Sequence, residues 1–559
     1  MVQSGVMGIA AASKTARRSG PRWTRYTSVA GLILAGGLAL RLVLGFVVYR
    51  GEGFPGDLMS FQSWAQTAAA KGPSSFYRAA RSANYPPGYI WMLWLLGGLS
   101  RPVAALTGAS RDGTLLALLK LPAILADMAI AWILLRAGRR WFGGNAGLWA
   151  AALYLFVPVT WLDSAIWGQV DAVSALVMLA AIVALVDGRS ERALILCAGA
   201  ILIKPQALVC LVIVVPVLIR RHLIRPRSGP EIAGRRGLAA LAAGREWARL
   251  AIAAGAAGIV ALVVMLPFDL QVFAGGRWRD VPVADKFAGL VGLIRSVSGQ
   301  YPVLTANAYN VWALIGQDPL ARTIGTGRQS WIDDSVQVLG IQASTIGTAA
   351  LAAASLLAIV GLLRRDDRTT ILLGFVVVAF AFYAAPTRVH ERYLFPVFAV
   401  GALLAASGLR RLAYAAVATI NAVNLWAVLA SPIGFSFGGR GTGGPTAGGI
   451  TGTPGAGGGP PTGAGTPPPR GGFPPGGGGF GSSGARNARL AGSSATRDHL
   501  TVLLVSCAQT AALFILVALF AMMTLRSRPA LQTSPSTSGA GNHGDVDSTE
   551  DFDIIVPGG

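Results

Sequence analysis

Residues 28–49 read SVAGLILAGGLALRLVLGFVVY, and the chain emerges from them into Gly56-Asp57-Leu58-Met59-Ser60-Phe61-Gln62-Ser63-Trp64. A bilayer-spanning helix needs roughly 20 predominantly apolar residues, and 28–49 meets that length. A basic N-terminus (Lys14, Arg17, Arg18, Arg22, Arg25) precedes it. The run is too long for a signal-peptide core and no small-residue cleavage pattern follows, so it reads as a retained anchor. Apolar runs of this kind recur along most of the chain. Its 559 residues are 53% hydrophobic and 13% charged, with mean hydropathy +0.55, where soluble domains carry about 25% charged residues. Lipid admits only structures that satisfy their own backbone, so the expected fold is an all-α, polytopic integral membrane protein with about 11–13 transmembrane helices. The net charge of +22 does not indicate nucleic acid, because the arginines sit in short loops between apolar runs, as positive-inside topology requires. Cys197, Cys210 and Cys507 lie in apolar runs and supply neither a disulfide framework nor metal-ligand spacing.

Charge then threads the chain. The basic residues 1–27 lie in the cytoplasm and 28–49 runs outward. Arg136, Arg139 and Arg140 mark the cytoplasm next, with two apolar runs, 88–106 and 113–136, in between. Both cannot cross. Segment 88–106 opens with Tyr85-Pro86-Pro87, and paired prolines favour an extended entry. It therefore reads as re-entrant or lying at the outer face, inside one long first external loop, 50–112. Segment 145–160 goes out and 171–186 returns to Arg189 and Arg192. Segment 192–219 is broken by Lys204-Pro205 into two short helices that meet at the outer side. Eight arginines (220, 221, 225, 227, 235, 236, 245, 249) make 220–248 the strongest cytoplasmic mark. Segment 249–267 leads out to loop 268–335, which balances six acids (269, 280, 285, 318, 333, 334) against six bases (277, 279, 286, 295, 322, 328). Segments 336–363, 371–385, 394–409 and 412–430 complete a membrane domain over 28–430. Residues 431–498 form a Gly/Pro-rich flexible linker, placed outside by counting. A last span, 499–525, precedes an acidic tail, 526–559.

This threading gathers five polar clusters on the outer face: Asp57; Asp163 with Trp167-Gly168-Gln169-Val170-Asp171; Lys204-Pro205-Gln206; loop 268–335; and Arg388-Val389-His390-Glu391-Arg392-Tyr393. Ionisable residues at membrane depth are costly and usually have a use. Asp57, Asp163 and Asp171 also read as helix caps, and Lys204 as one half of a structural ion pair. Lys120 and Asp127, seven apart on one helix face, read as an internal ion pair. Lys204, Arg388, Arg392 and His390 suit an anion such as phosphate, and Asp57 is a separate acid able to deprotonate an acceptor. The combination points to group transfer from a phosphate-linked donor. The chain has no Gly-rich nucleotide loop, and a lipid-carried donor needs none.

The order of these clusters resembles the GT-C glycosyltransferases, most nearly the dolichyl-phosphate-glucose-dependent glucosyltransferases of N-glycan assembly and their bacterial relatives. The resemblance runs from Gly56 to Phe395. Gly56-Asp57 with Trp64 is similar to the family's G-D…W, Tyr85-Pro86-Pro87 to its Y-P-P, and Ala126-Asp127 to its A-D. Asp163 and Trp167-Gly168-Gln169-Val170-Asp171 stand where it has D followed by H-F-Q-Y-N. Lys204-Pro205-Gln206 is similar to its K-Q, and Val389-His390-Glu391-Arg392 to its V-H-E-K. The resemblance implies transfer with inversion, Asp57 as base, and His390 and Arg392 near the donor phosphate, which Lys204 and Arg388 are also expected to bind as anion-suited bases. Asp163, Trp167, Gln169, Asp171, Tyr85 and Glu391 are then expected to contact sugar or acceptor. Trp167 in place of His and Asp171 in place of Asn set this chain apart and leave the sugar, glucosyl or mannosyl, open. The linker and last span have no counterpart in that family. More distant GT-C enzymes use a metal with acids in the second loop; the nearer ones do not, so neither metal nor other cofactor is expected. The expected protein is a cell-envelope hexosyltransferase in the cell membrane with an extracytoplasmic site. Its partners are a polyprenyl-phosphate sugar donor, a glycan, lipid or protein acceptor, and the lipid bilayer. The alternative is a transporter or flippase of lipid-linked sugars using the same charges as a path.

Overall fold

The computed structural model describes residues 21–224, 246–274, 277–280, 285–299, 302–315, 333–406, 408–430 and 499–525. The N-terminus up to residue 20, most of the arginine-rich segment 220–248, parts of loop 268–335, the linker 431–498 and the tail 526–559 lie outside the described residues. The protein is an all-α, multi-pass membrane protein. Among the described residues, eight helices are long and apolar enough to cross a bilayer, and one bent pair would make a ninth. Two short antiparallel hairpins, β1–β2 (Gln271–Ala274, Arg277–Asp280) and β3–β4 (Gln337–Val338, Ile341–Gln342), are its only sheets among those residues.

α1 (Pro21–Leu42), continued by a π turn at Val43–Val48, is followed by α2 (Pro55–Lys71), α3 (Phe76–Ala79), α4 (Pro87–Thr107) and α5 (Arg111–Phe142). α1 and α5 run antiparallel. Tyr26 donates to the Leu135 carbonyl at one end, Arg41 meets Asp127 in the middle, and Lys120 reaches the Gly45 and Tyr49 carbonyls at the other. Residues 50–110 therefore begin and end at the same end of the bundle. α4 has the length and hydropathy of a span yet lies wholly within that excursion. Its start, at Gly88, presses on the Leu202 carbonyl, and Arg111, at the start of α5, donates to Ser100 in its last turns. Pro87 at its first position, after an extended Pro86, opens the helix as proline does at N1.

α6 (Ala146–Phe156) and α7 (Pro158–Trp161, continued as a π turn through Trp167) form the bent pair, kinked by 53°. Segment 145–160 is thus not one straight helix, because Pro158 cannot donate to the ladder and forces the break. α8 (Asp171–Val186), α9 (Ser190–Ile203), α10 (Val209–Ile219) and α11 (Trp247–Met265) follow, then α12 (Lys286–Ser298), α13 (Val311–Ile315), α14 (Ala343–Arg364), α15 (Arg368–Ala384), α16 (Phe395–Leu404), α17 (Arg410–Ala430) and α18 (His499–Leu525). One end of the bundle carries an arginine cluster, with Arg140 on Asp187 and both Arg220 and Arg221 on Asp366. The other end carries Asp57, Lys204 and 387–394.

Asp127 does not pair with Lys120. Helical spacing puts the two on one face, but Asp127 turns toward α1, where Arg41 Nε lies 2.6 Å away and both side chains are fully buried. Arg41 also donates to the Gly37 and Leu155 carbonyls and to Thr160, and Tyr154 donates to Asp127 at 2.5 Å. One guanidinium thus ties α1, α5, α6 and α7 together. Breaking a buried pair from one side costs about 3–5 kcal/mol, because it strands the other charge. Arg41→Met is therefore expected to lower the unfolding temperature in detergent sharply, and Arg41→Met with Asp127→Leu to recover much of it. A single variant as stable as wild type would refute the network's role.

Candidate active site

Two loops lock together to present Asp57. The π turn 162–167 ends at Gly168, which is left-handed (φ 83°), a conformation glycine adopts without a Cβ penalty. The Gly168 and Gln169 amides both donate to the Asp163 carbonyl at 3.1 Å. This turn aims Trp167 and Gln169 at the first loop. Trp167 Nε1 donates to Asp57 Oδ2 at 2.7 Å and Gln169 Nε2 to the same oxygen at 2.6 Å. Phe54 stacks on the Trp167 indole with centroids 4.7 Å apart, and the Phe54 amide donates to the Trp167 carbonyl. Gly53 permits this approach, since a Cβ there would stand 2.8 Å from the Trp167 carbonyl oxygen.

Asp57 is not the cap of α2. Phe54 occupies that position, and Asp57 sits in the first turn. Its side chain keeps 21% of its surface open, facing a cavity of about 550 Å³ that is also lined by Tyr85, Lys204, Arg388, His390, Glu391 and Arg392. Residues separated by more than three hundred positions therefore share one chamber.

The cations differ in what they can offer. Lys204 Nζ lies 2.5 Å from Asp171 Oδ1, which also accepts from Gln206 at 3.1 Å. The ammonium sits 5.4 Å from the Tyr393 ring centre and 6.0 Å from that of Tyr85. Arg392 is 2.7 Å from Glu391, 3.7 Å from Asp57 and 3.8 Å from Asp171, and its Nε has no hydrogen-bond partner among the described residues. Arg388 lines the cavity with its guanidinium engaged: Nε and Nη2 grip Asp334, and Nη1 donates to the Ser298 carbonyl. Burial, then the positive charges of Arg392 and Lys204, hold the His390 imidazole well below its ordinary pKa. It is a neutral hydrogen-bonding ring at neutral pH, not a counter-ion. Burial also pushes the Glu391 carboxyl up, against the pull of Arg392.

The expected sugar and acceptor contacts divide. Tyr85 and Glu391 line the cavity, whereas Asp163, Trp167, Gln169 and Asp171 are not among its lining residues. The π turn rotates Trp167 and Gln169 onto Asp57, and Tyr85 reaches Gln169 at 3.4 Å. Asp171, the first residue of α8, holds Lys204. Asp163 is fully buried, with neither carboxylate oxygen hydrogen-bonded to the described residues. No three His, Cys, Asp or Glu side chains gather as a metal-holding group among those residues. Sequence reading missed Arg41, Asp334 as the partner of Arg388, and Asn421 and Asn424. The last two are a polar pair at i,i+3 in an apolar helix, a signal present in the sequence.

Among solved structures, the chain is similar to ArnT from Cupriavidus metallidurans bound to undecaprenyl phosphate. The identity is 15% and the TM-score 0.40, over 72% of this chain and 65% of that one. It is also similar to the Archaeoglobus fulgidus oligosaccharyltransferase in the apo form, at 13% identity and a TM-score of 0.38, over 73% of this chain and 58% of that one. The chain spans less than two thirds of the length of either. No protein-family model matches it, and no curated protein is similar to it.

Proposed function

We propose that this protein is a membrane glycosyltransferase of the GT-C type that moves a sugar from a polyprenyl-phosphate donor to an acceptor hydroxyl. The observation that carries this reading is the shared cavity: Asp57, fixed by two donors yet open to solvent, with Lys204 and Arg392 on the same wall. The resemblance in motif order supports the same roles. In the proposed reaction Asp57 takes the acceptor proton. The acceptor oxygen attacks the anomeric carbon, and the bond from that carbon to the phosphate oxygen breaks on the opposite side, inverting the centre. Polyprenyl phosphate leaves, with its developing charge met by Lys204 and Arg392 and by a hydrogen bond from neutral His390. Trp167 and Gln169 position the base, Asp171 positions Lys204, and Tyr85 and Glu391 face the sugar or acceptor. Leu208, Ile294, Val297, Leu351 and Phe382 give the cavity an apolar side suited to the start of a prenyl chain. A flippase needs a polar path through the bundle; here the cavity's charges gather at one end.

That end is read as extracytoplasmic, because the cluster of Arg140, Arg220, Arg221 and Arg249 lies at the other. α17 ends and α18 begins at the cavity end: Asn424 contacts Asn307, and Val502 packs with Tyr309. The chain thus leaves α17 and enters α18 at the site's end of the bundle. In intact cells, with the native cysteines replaced by serine, Ser82→Cys and Ser482→Cys are both expected to react with an impermeant maleimide. Labelling of either only after permeabilisation would overturn the assignment. The function itself is tested by reconstituting the protein in liposomes with a panel of polyprenyl-phosphate sugars and a panel of glycan, lipid and peptide acceptors. Release of polyprenyl phosphate from at least one is expected; vectorial movement of an intact lipid-linked sugar instead would make it a flippase.

A further inference from the structure

The cavity wall built by Asn307 and His390–Arg392 belongs to two irregular segments, 302–315 and 387–394. They pair only briefly: the Ala306 amide donates to the Val389 carbonyl and the Arg388 amide to the Val303 carbonyl, with bridges from Ala306 and Asn307 to His390. Asn307 is left-handed, at φ 73°. Backbone of this kind needs support from outside, and α17 supplies it. Asn421 and Asn424 are both fully buried and lie one turn apart on one face. Asn421 Nδ2 donates to the Glu391 carbonyl at 3.2 Å. Asn424 Nδ2 donates to the Asn307 carbonyl at 3.0 Å, and its Oδ1 accepts from the Tyr309 amide at 3.0 Å and the Tyr383 hydroxyl at 3.2 Å. Three of the four bonds its amide can make are thus spent on the back of the site.

The last helix closes this network from the far side. Val502 and Val505 of α18 pack on Tyr309 and Ala313. Gln509, one turn further and 1% exposed, has no hydrogen-bond partner among the described residues, so α18 meets the back of the site through this apolar contact.

We propose that Asn424 is a positioning residue of the site, holding Asn307 and the His390–Arg392 segment in place, and that α18 backs this network by packing Val502 and Val505 on Tyr309 and Ala313. In its kinetic part this rests on the proposed function; in its structural part it does not. The test uses the full chain in detergent with Asn424→Leu, Asn424→Asp and Val502→Ala, reading amide exchange, thermal unfolding and donor kinetics. In Asn424→Leu, exchange in both 302–315 and 387–394 is expected to rise at an unfolding temperature close to wild type. KM for the active polyprenyl-phosphate sugar is expected to rise about tenfold, equivalent to about 1.4 kcal/mol of lost binding. Asn424→Asp keeps the acceptor and loses the donor, so it should loosen 302–307 and leave Tyr309 protected. Val502→Ala should raise exchange in 302–315 to a smaller extent, and it carries the test alone if Asn424→Leu does not fold. Wild-type exchange in both segments in a folded variant overturns the proposal, whatever the kinetics. Raised exchange in a protein whose wild type transfers no sugar upholds the positioning role and sinks the proposed function instead.

Discussion

Asp57→Asn is expected to fold as the wild type does and to lose sugar transfer by about 10²–10⁴-fold, the usual contribution of a positioned general base. The amide is isosteric, and its oxygen can take the place of Oδ2 and accept from both Trp167 and Gln169. What it cannot do is take the acceptor proton. The two donors converge on one oxygen, Oδ2, at 2.7 and 2.6 Å, which fixes the carboxylate plane and leaves Oδ1 for the acceptor. The loss is therefore expected in kcat, with donor KM little changed, because Lys204 and Arg392 stay in place. The check is initial rates at saturating donor alongside thermal unfolding in detergent. An Asp57→Asn protein that transfers sugar at the wild-type rate removes the base from the mechanism.

Lys204→Met has the second large effect, and it is expected in stability and activity together. Lys204 is 4% exposed and Asp171 wholly buried. Removing the ammonium leaves the carboxylate with Gln206 at 3.1 Å and Arg392 at 3.8 Å. Stranding a buried charge in this way costs about 3–5 kcal/mol. Loss of one preorganised group at the leaving phosphate costs about 10²–10³ in rate. The double variant Lys204→Met with Asp171→Leu separates the two effects. It removes the stranded charge and is expected to regain most of the unfolding temperature, while activity stays lost. Recovery of transfer in the double variant would make Lys204 a structural ion-pair partner and nothing more.

Much of this was legible in the sequence because polar groups stand out against apolar runs. Asp57, Tyr85, Lys204 and His390–Arg392 were each conspicuous, and all line one cavity. That residues 50 and 110 lie at the same end of the bundle was legible from charge, since arginines before α1 and at the end of α5 left no room for an extra crossing. What escaped is what depends on rotation and on partners far along the chain. Spacing put Lys120 and Asp127 on one face of α5 but says nothing of Arg41, which lies 86 positions from Asp127 and captures it. The motif placed Trp167 and Gln169 near the site; only the π turn and left-handed Gly168 show that they face Asp57 and not the cavity. Arg388 looked like a free phosphate ligand until the fold brought Asp334 to it at 2.7 Å. Neutral His390 is a product of burial beside two cations, which no local motif encodes.

The central claim is an in-line displacement at the anomeric carbon, with Asp57 as base and polyprenyl phosphate as leaving group. The most direct measurement is the anomeric configuration of the transferred sugar, read by nuclear magnetic resonance on product made from a donor of known configuration. Inversion is the predicted result. Retention would require a covalent sugar–enzyme intermediate or a front-face route, and would contradict the account.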